Sequence, residues 1–372
     1  VAFYHELAIY RRELARLQGM KITEDRVRKA IENGSYHPED FWVLLSPEAD
    51  AYLEAMARRA RELTLQHFGK TVQLFTPLYL SNYCINRCIY CGYNAGHSIA
   101  RRKLSLSEVE EEARAIAATG LKHILILTGE SPEHSPVAYI KDCVAVLRPY
   151  FSSISMEVYP LSAEDYGKLI AAGVDGMTLF QEVYDEAVYH RLHLAGPKQD
   201  FRFRLEAPER AGKAGMRTIG IGALLGLNDW RSEAFFTGMH ADYLQRNFPA
   251  AEVSVSLPRL CPQTGNFQPI SPVSERQLVQ IMLAIRIYLP RVGITISTRE
   301  RQGFREHLVG LGVTKMSAGV STAVGGHAVH CDEDPGQFQI SDRRSVAEIY
   351  RVITEMGYKP VLKDWHDMGL TV

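Results

Sequence analysis

The chain has 372 residues, 46% of them hydrophobic and 23% charged, and its 42 Lys and Arg nearly balance 43 Asp and Glu for a net charge of −1. That length can bury a large core, as one big α/β domain or as a domain with appendages. Near-neutral charge gives no electrostatic reason to expect nucleic acid. No apolar run approaches the roughly 18 residues of a membrane span or follows a signal-peptide pattern, so no membrane is expected and the partners are small molecules or proteins.

The first residues read as a helix, since Phe3, Leu7, Tyr10, Leu14 and Leu17 recur at steps of four and three along one apolar stripe. A second helix is predicted from Ser46-Pro47-Glu48, a capping residue followed by proline at the first helical position, to a stop at Gly69. Residues 1–70 are thus expected to form an N-terminal helical extension. The sequence begins at Val1 without methionine, which suggests that some N-terminal residues are missing.

From residue 72 short apolar segments alternate with amphipathic helices. Candidate strands fall at 72–83, 123–129, 153–159, 176–183, 217–224, 251–257, 293–298 and 315–320. The joints repeat one device, a glycine followed by an apolar residue, at Gly120-Leu121, Gly173-Val174, Gly215-Met216, Gly293-Ile294 and Gly312-Val313. Glycine there is the left-handed helix stop, and its recurrence before successive strands marks alternating βα units. The expected fold is α/β, a (βα)8 TIM-type barrel over residues 71–325 with its active site at the C-terminal ends of the strands. Residues 326–372 hold a Gly/His/Asp/Pro-rich loop, a helix around Ser345 to Met356 and a final segment from Tyr358 to Trp365. They are too few for an independent core and read as a short C-terminal appendage packed on the barrel.

Directly after the first strand come Cys84, Cys88 and Cys91, in Asn82-Tyr-Cys-Ile-Asn-Arg-Cys-Ile-Tyr-Cys-Gly92. Three thiolates this close can converge on one metal centre. Closed zinc sites and electron-transfer clusters want four protein ligands, so three suggest a cluster with one iron left open for substrate or cofactor. A zinc site would need Cys143, Cys261 or Cys331 as its fourth ligand. Each of these reads instead as an unligated thiol, Cys143 on the apolar side of a helix and the others beside turn-like segments. Six cysteines in so long a chain form no disulfide framework, which fits a reducing, cytoplasmic setting.

Residues at the other strand ends carry further chemistry. A carboxylate inside an apolar run must be paired or face a polar site. In Thr178-Leu-Phe-Gln181-Glu182-Val-Tyr184, alternation puts Glu182 and Tyr184 on one face and Gln181 on the other, and either set can be the inner one. Glu182 and Tyr184, with Ser317 on the eighth strand, are candidate catalytic residues. Arg299, in Ser297-Thr-Arg-Glu300, offers a planar, permanently charged grip suited to the carboxylate of an amino-acid substrate.

The spacing of the cysteines, with the aromatic Tyr90 before the last, resembles the motif of the radical S-adenosylmethionine (SAM) enzymes. That resemblance implies a [4Fe–4S] cluster whose open iron is chelated by the amino and carboxylate groups of SAM. It also implies cofactor-binding roles for Tyr90 and for Gly129 and Glu130, whose Thr128-Gly-Glu resembles a Gly-Gly-Glu motif with its first glycine replaced. Glu157 is implied at the ribose hydroxyls, Gly220 and Gly222 beside adenine, and Arg204 and Glu206 as further SAM contacts.

Longer segments narrow the resemblance. Thr76-Pro-Leu-Tyr-Leu-Ser-Asn82, Met156-Glu-Val-Tyr-Pro-Leu161, Lys198-Gln-Asp-Phe201, Arg204-Leu-Glu206, Ser297-Thr-Arg-Glu300 and Lys363-Asp-Trp365 look like the aromatic amino-acid lyases of this superfamily. They are most similar to the 2-iminoacetate synthases (ThiH), the tyrosine lyases of anaerobic thiamine biosynthesis. The resemblance implies that the reduced cluster cleaves SAM to methionine and a 5′-deoxyadenosyl radical. That radical takes hydrogen from L-tyrosine at its amino nitrogen, and the Cα–Cβ bond breaks to give 2-iminoacetate (dehydroglycine) and p-cresol. Thiazole synthase (ThiG) and a flavodoxin- or ferredoxin-type reductant are the implied partners. A HydG-like lyase would need a second cluster, and only Cys331 lies beyond Cys261. A tryptophan lyase would share the cysteine motif and differ in its pocket, while a cluster carrier without turnover or a zinc-binding interaction module would account for the cysteines alone.

Overall fold

The opening stripe forms α1 (Phe3–Gln18) and buries Phe3, Leu7, Leu14 and Leu17. Two helices that the sequence reading passes over come next, α2 (Glu24–Glu32) and α3 (Pro38–Leu45). Every residue from Phe41 to Leu45 is buried, so α3 shows no polar face that would reveal a helical period. The helix expected from Ser46 starts later, as a 3-10 turn at Glu48–Tyr52 that leads into α4 (Leu53–Phe68). The computed structural model describes residues 2–32, 37–329 and 336–363. Cys331 and the Asp364-Trp365 pair lie outside them.

Eight parallel strands follow: β1 (Thr71–Ser81), β2 (His123–Thr128), β3 (Ser153–Glu157), β4 (Gly176–Glu182), β5 (Thr218–Ala223), β6 (Glu252–Ser256), β7 (Gly293–Ile296) and β8 (Lys315–Ser317). They pair in chain order, and β1 pairs with both β2 and β8, which closes the barrel. Crossover helices α5 (Leu106–Ala118), α6 (Val137–Leu147) and α7 (Ala163–Ala172) connect the first four strands. Three short helices, α8 (Glu186–Leu192), α9 (Phe201–Leu205) and α10 (Ala207–Lys213), then lead from β4 to β5. The circuit continues through α11 (Trp230–Asn247), α12 (Glu275–Tyr288) and α13 (Gln302–Val309). Capping boxes start α5 at Ser105 and Glu108 and α12 at Ser274 and Gln277, satisfying amide groups the helices leave orphaned.

Four of the five glycine joints behave as expected. Gly120, Gly173, Gly215 and Gly312 take φ of 92°, 117°, 91° and 137° just after helices. Gly293 does not. It is the first residue of β7, and a side chain there would press on Ser254 of the neighbouring strand, 3.1 Å from its Cβ.

After β8 the chain crosses the barrel mouth and continues through α14 (Val346–Glu355) to a ninth strand, β9 (Lys359–Val361). β9 lies parallel to Thr71–Gln73, the stretch of β1 that precedes its pairing with β2. Asp342 fastens this region to α13, buried between Arg305 (2.6 Å) and Arg344 (2.7 Å). Among the described residues no helix is long and apolar enough to cross a membrane.

Candidate active site

The loop after β1 carries the three cysteines and is pinned at both ends by Asn82. The Asn82 amide donates to Ala100 O (2.8 Å) while its oxygen accepts from Arg102 N (2.7 Å), and Arg101 donates to the carbonyls of Asn82, Tyr93 and Asn94. The loop also pairs with the segment after α8. Arg87 N donates to Ala195 O, Ile89 N to Leu192 O and Leu194 N to Arg87 O. His193 donates through Nδ1 to Tyr189 O (2.7 Å), so its Nε2 accepts from the Tyr90 hydroxyl (2.8 Å). Burial and the Lys198 charge push His193 down to about 2, which keeps the ring neutral in that role. Asn86 joins three segments at once, donating to Glu130 (2.5 Å) and accepting from the Lys198 backbone N–H (2.9 Å). Gly129 lies against the cysteine loop so tightly that a Cβ would collide with Tyr83 O.

Glu182 sits at an irregular point of β4. Among the described residues it is the only non-glycine residue with positive φ, 70°, and the register with β5 shifts between Phe180 and Glu182. Backbone strain of this kind persists only where surrounding contacts hold it. Here Arg204 donates through Nε to the Phe180 carbonyl (2.8 Å) and approaches the Glu182 carboxylate (3.4 Å), which also accepts from Lys198 (2.8 Å). Burial opposes the charged carboxylate, but Lys198 and Arg204 outweigh it and hold Glu182 below the ordinary carboxylate range. Burial raises the thiols of Cys88 and Cys91, and the Lys198 charge offsets part of that rise.

Inside the barrel lies a cavity that runs from Phe75, His123 and Lys315 near the strand starts to Arg299, Gln337 and Phe338 at the mouth. Glu157 and Ser317 line it too. Burial first and the nearby Glu182 second raise Glu157 to about 7, against the pull of Arg299, Arg204 and Lys198. The Arg299 guanidinium lies 3.5 Å over the Phe338 ring and forms no ion pair among the described residues. The adjacent Glu300 is taken by Arg259 through two contacts, so Arg299 keeps its charge for a ligand. Ser317 supports this corner, its hydroxyl accepting from Thr298 N (3.1 Å).

Two sequence-predicted residues lie away from the cavity. Tyr184 is fully buried and its hydroxyl bonds His240 Nδ1 (2.9 Å), among Phe236 and α11. The irregularity at Glu182 breaks the two-residue alternation that would put both side chains on one face. Glu206 stands between α9 and α10 and pairs with Arg202 (2.8 Å) on a partly exposed face. Gly220 and Gly222 have a packing reason to lack side chains, since a Cβ would strike Thr178 at the first and Ser256 O at the second.

A family model described as the radical SAM superfamily matches residues 78–236, and one described as the biotin and thiamin synthesis associated domain matches 256–359. The 2-iminoacetate synthase of Salmonella typhimurium is 41% identical over 91% of this chain and 90% of its own length. That of Escherichia coli is 42% identical over the same shares. The chain belongs to the 2-iminoacetate synthase family. Among solved structures, the [FeFe]-hydrogenase maturase HydG from Carboxydothermus hydrogenoformans superposes with a TM-score of 0.84 at 34% identity, covering 96% of this chain and 82% of that one. As a radical SAM lyase the chain uses a [4Fe–4S] cluster and SAM.

The three thiols fit such a cluster. They are free, and burial first, then the neighbouring thiols, raise Cys91 and push Cys88 up to about 12. Thiolates crowded this way need the positive charge that iron supplies. Among the described residues no three His, Cys, Asp or Glu side chains are set to hold a single ion. A cubane asks for a different arrangement, with each thiolate on its own iron. Cys143 is buried in α6, and Cys261 points at the carbonyls of Arg259 and Arg299.

Sequence reasoning missed His193 and Asn86, and took in Lys198 only as part of a resembling segment. One signal was available. Lys198 lies between two apolar stretches and six residues before Arg204, but nothing local says that both cations meet Glu182.

Proposed function

We propose that the chain cleaves the Cα–Cβ bond of L-tyrosine, giving 2-iminoacetate and p-cresol while SAM yields 5′-deoxyadenosine and methionine, for thiazole formation in thiamine biosynthesis. The observation that carries the reading is the Arg299 guanidinium, without an ion-pair partner among the described residues, at the mouth of the same barrel that presents the three-cysteine loop. The bound cluster and SAM supply the hydrogen-abstracting radical. Cys84, Cys88 and Cys91 hold the cluster, with Tyr90 and His193 fixing the loop from beneath. Arg299 holds the substrate carboxylate, with Ser317 bracing the β7 end through Thr298, and this orients the amino nitrogen towards the cofactor. Gly129 and Glu130 receive the SAM amino group, Glu157 the ribose hydroxyls, and the Gly220 and Gly222 strand the adenine. Arg204 and Lys198 keep Glu182 ionised beside the cysteine loop that would hold the cluster. Phe338 and Gln337 cover the mouth and limit water.

Identity of 41–42% to 2-iminoacetate synthases, against 34% to HydG, favours this chemistry over a HydG-like one. Thiazole synthase takes the reactive imine, a flavodoxin- or ferredoxin-type protein supplies the electron, and a reducing cytoplasm keeps the thiols free. Anaerobic reconstitution with iron and sulfide, followed by mass spectrometry of products from SAM and tyrosine, tests the assignment. p-Cresol with 5′-deoxyadenosine is expected. Turnover of tryptophan but not tyrosine would refute it.

A further inference from the structure

The lower part of the cavity holds polar groups that the proposed roles do not use. Gln73 donates through Nε2 to His123 Nδ1 (3.0 Å), so His123 carries its proton on Nε2 and donates it to Ser155 Oγ (3.0 Å). The Ser155 hydroxyl proton is then left to point elsewhere. Ser155, Gly176 and Thr218 are register partners across β3, β4 and β5 and therefore lie on the same face of the sheet. A side chain on Gly176 would collide with Ser155 Oγ and press on Thr218, so glycine opens a notch between the two hydroxyls. Across that notch Thr218 Oγ1 is buried without a hydrogen-bond partner among the described residues, and Thr218 is 7% exposed. Leaving a buried hydroxyl unpaired is costly, which points to a polar atom that fills the site.

Ser155 and Thr218 both line the cavity. Ser155 lies two residues below Glu157 on β3, about 7 Å along the strand. Phe75, Leu125 and Met177 supply apolar walls to this part of the cavity. A substrate held by its carboxylate at Arg299 and lying between those walls presents the far end of its side chain to the notch.

Resting on the tyrosine reading above, we infer that Ser155 and Thr218 form a subsite for the phenol oxygen of the substrate. Ser155 donates its spare proton to that oxygen, and Thr218 fills a second hydrogen-bonding position. His123 and Gln73 are positioning residues that fix which way the Ser155 hydroxyl points. A site built around such a bond discriminates strongly against an analogue without the hydroxyl, because its own polar groups are then left unpaired.

The test compares tyrosine with phenylalanine as ligands of the cluster- and SAM-loaded enzyme, kept without reductant, by equilibrium dialysis against radiolabelled amino acid. Wild type should prefer tyrosine. Ser155→Ala should weaken tyrosine roughly tenfold, one lost hydrogen bond to a polar ligand, and leave phenylalanine unchanged. Thr218→Val, nearly the same shape, should act in the same direction by several-fold, which guards against a folding defect in the first variant. Equal losses for both amino acids, or no loss for tyrosine in either variant, would overturn the subsite while p-cresol formation by wild type keeps the tyrosine reading intact. A wild-type enzyme that makes no p-cresol and shows no preference for tyrosine overturns that reading, and the subsite with it.

Discussion

Replacing Arg299 with alanine should separate the two halves of the reaction. Its guanidinium has no ion-pair partner among the described residues, because Glu300 is held by Arg259, so the change leaves no buried carboxylate orphaned and spares the fold. What is lost is a charged contact to the substrate carboxylate, typically about 1.5–3 kcal/mol. That corresponds to roughly a tenfold to hundredfold rise in the tyrosine concentration needed for half-maximal p-cresol formation. The proposed SAM contacts do not include Arg299, so uncoupled formation of 5′-deoxyadenosine should stay within about twofold of wild type. Arg299→Lys keeps the charge without the planar fork and should fall between the two. The assay follows p-cresol and 5′-deoxyadenosine in the same reaction across a tyrosine series. Equal loss of both products would place Arg299 in SAM binding or in structure and refute the assignment.

Cys88→Ala should abolish the cluster absorbance near 400 nm and SAM cleavage together, whereas Cys143→Ala, which alters a thiol packed in α6, should retain both; iron analysis with visible spectra decides. Glu182→Gln leaves Lys198 and Arg204 facing a neutral amide in a buried site, and denaturant unfolding should report a loss of about 3–5 kcal/mol. Glu157 has a carboxyl raised to about 7, above its unfolded value of roughly 4.3. Its stabilising contribution, held by the neutral acid, is complete below the unfolded value and is lost as pH rises through about 7. Glu157→Gln should therefore raise the melting temperature of the SAM-free enzyme at pH 8 and make little difference at pH 5. A stabilisation that grows towards low pH would contradict the sign.

The barrel was legible because its punctuation is chemical. Four glycines had to reach positive φ after helices, and each announced the strand that followed. Gly293 carries the same sequence signal for another reason, close packing on Ser254 inside the sheet. The short helix α3 escaped because burial on all sides erases the period that identifies a helix. β9 escaped because three residues with a central Pro360 form no alternating pattern, and their pairing is with a strand almost 300 residues away. In the site, the clustering of the cysteines and the place of Arg299 at the mouth were readable from residue type and strand position. Tyr184 was not, since the backbone irregularity that turns it into the core depends on Arg204 gripping Phe180 and Glu182. Lys198 and His193 gain their meaning only where the segment after α8 lies beside the cysteine loop.

The central claim is that one cluster and one amino-acid site share this barrel mouth and break tyrosine at Cα–Cβ. The most direct measurement is product analysis of the reconstituted enzyme, reduced anaerobically with SAM and tyrosine, alongside its iron content. The account predicts about four irons per chain on one three-cysteine cluster, with p-cresol and glyoxylate, the hydrolysis product of the imine, formed in equal amounts and no cyanide. Iron near twice that value with cyanide matching p-cresol, or reductive SAM cleavage that leaves tyrosine intact, would contradict it.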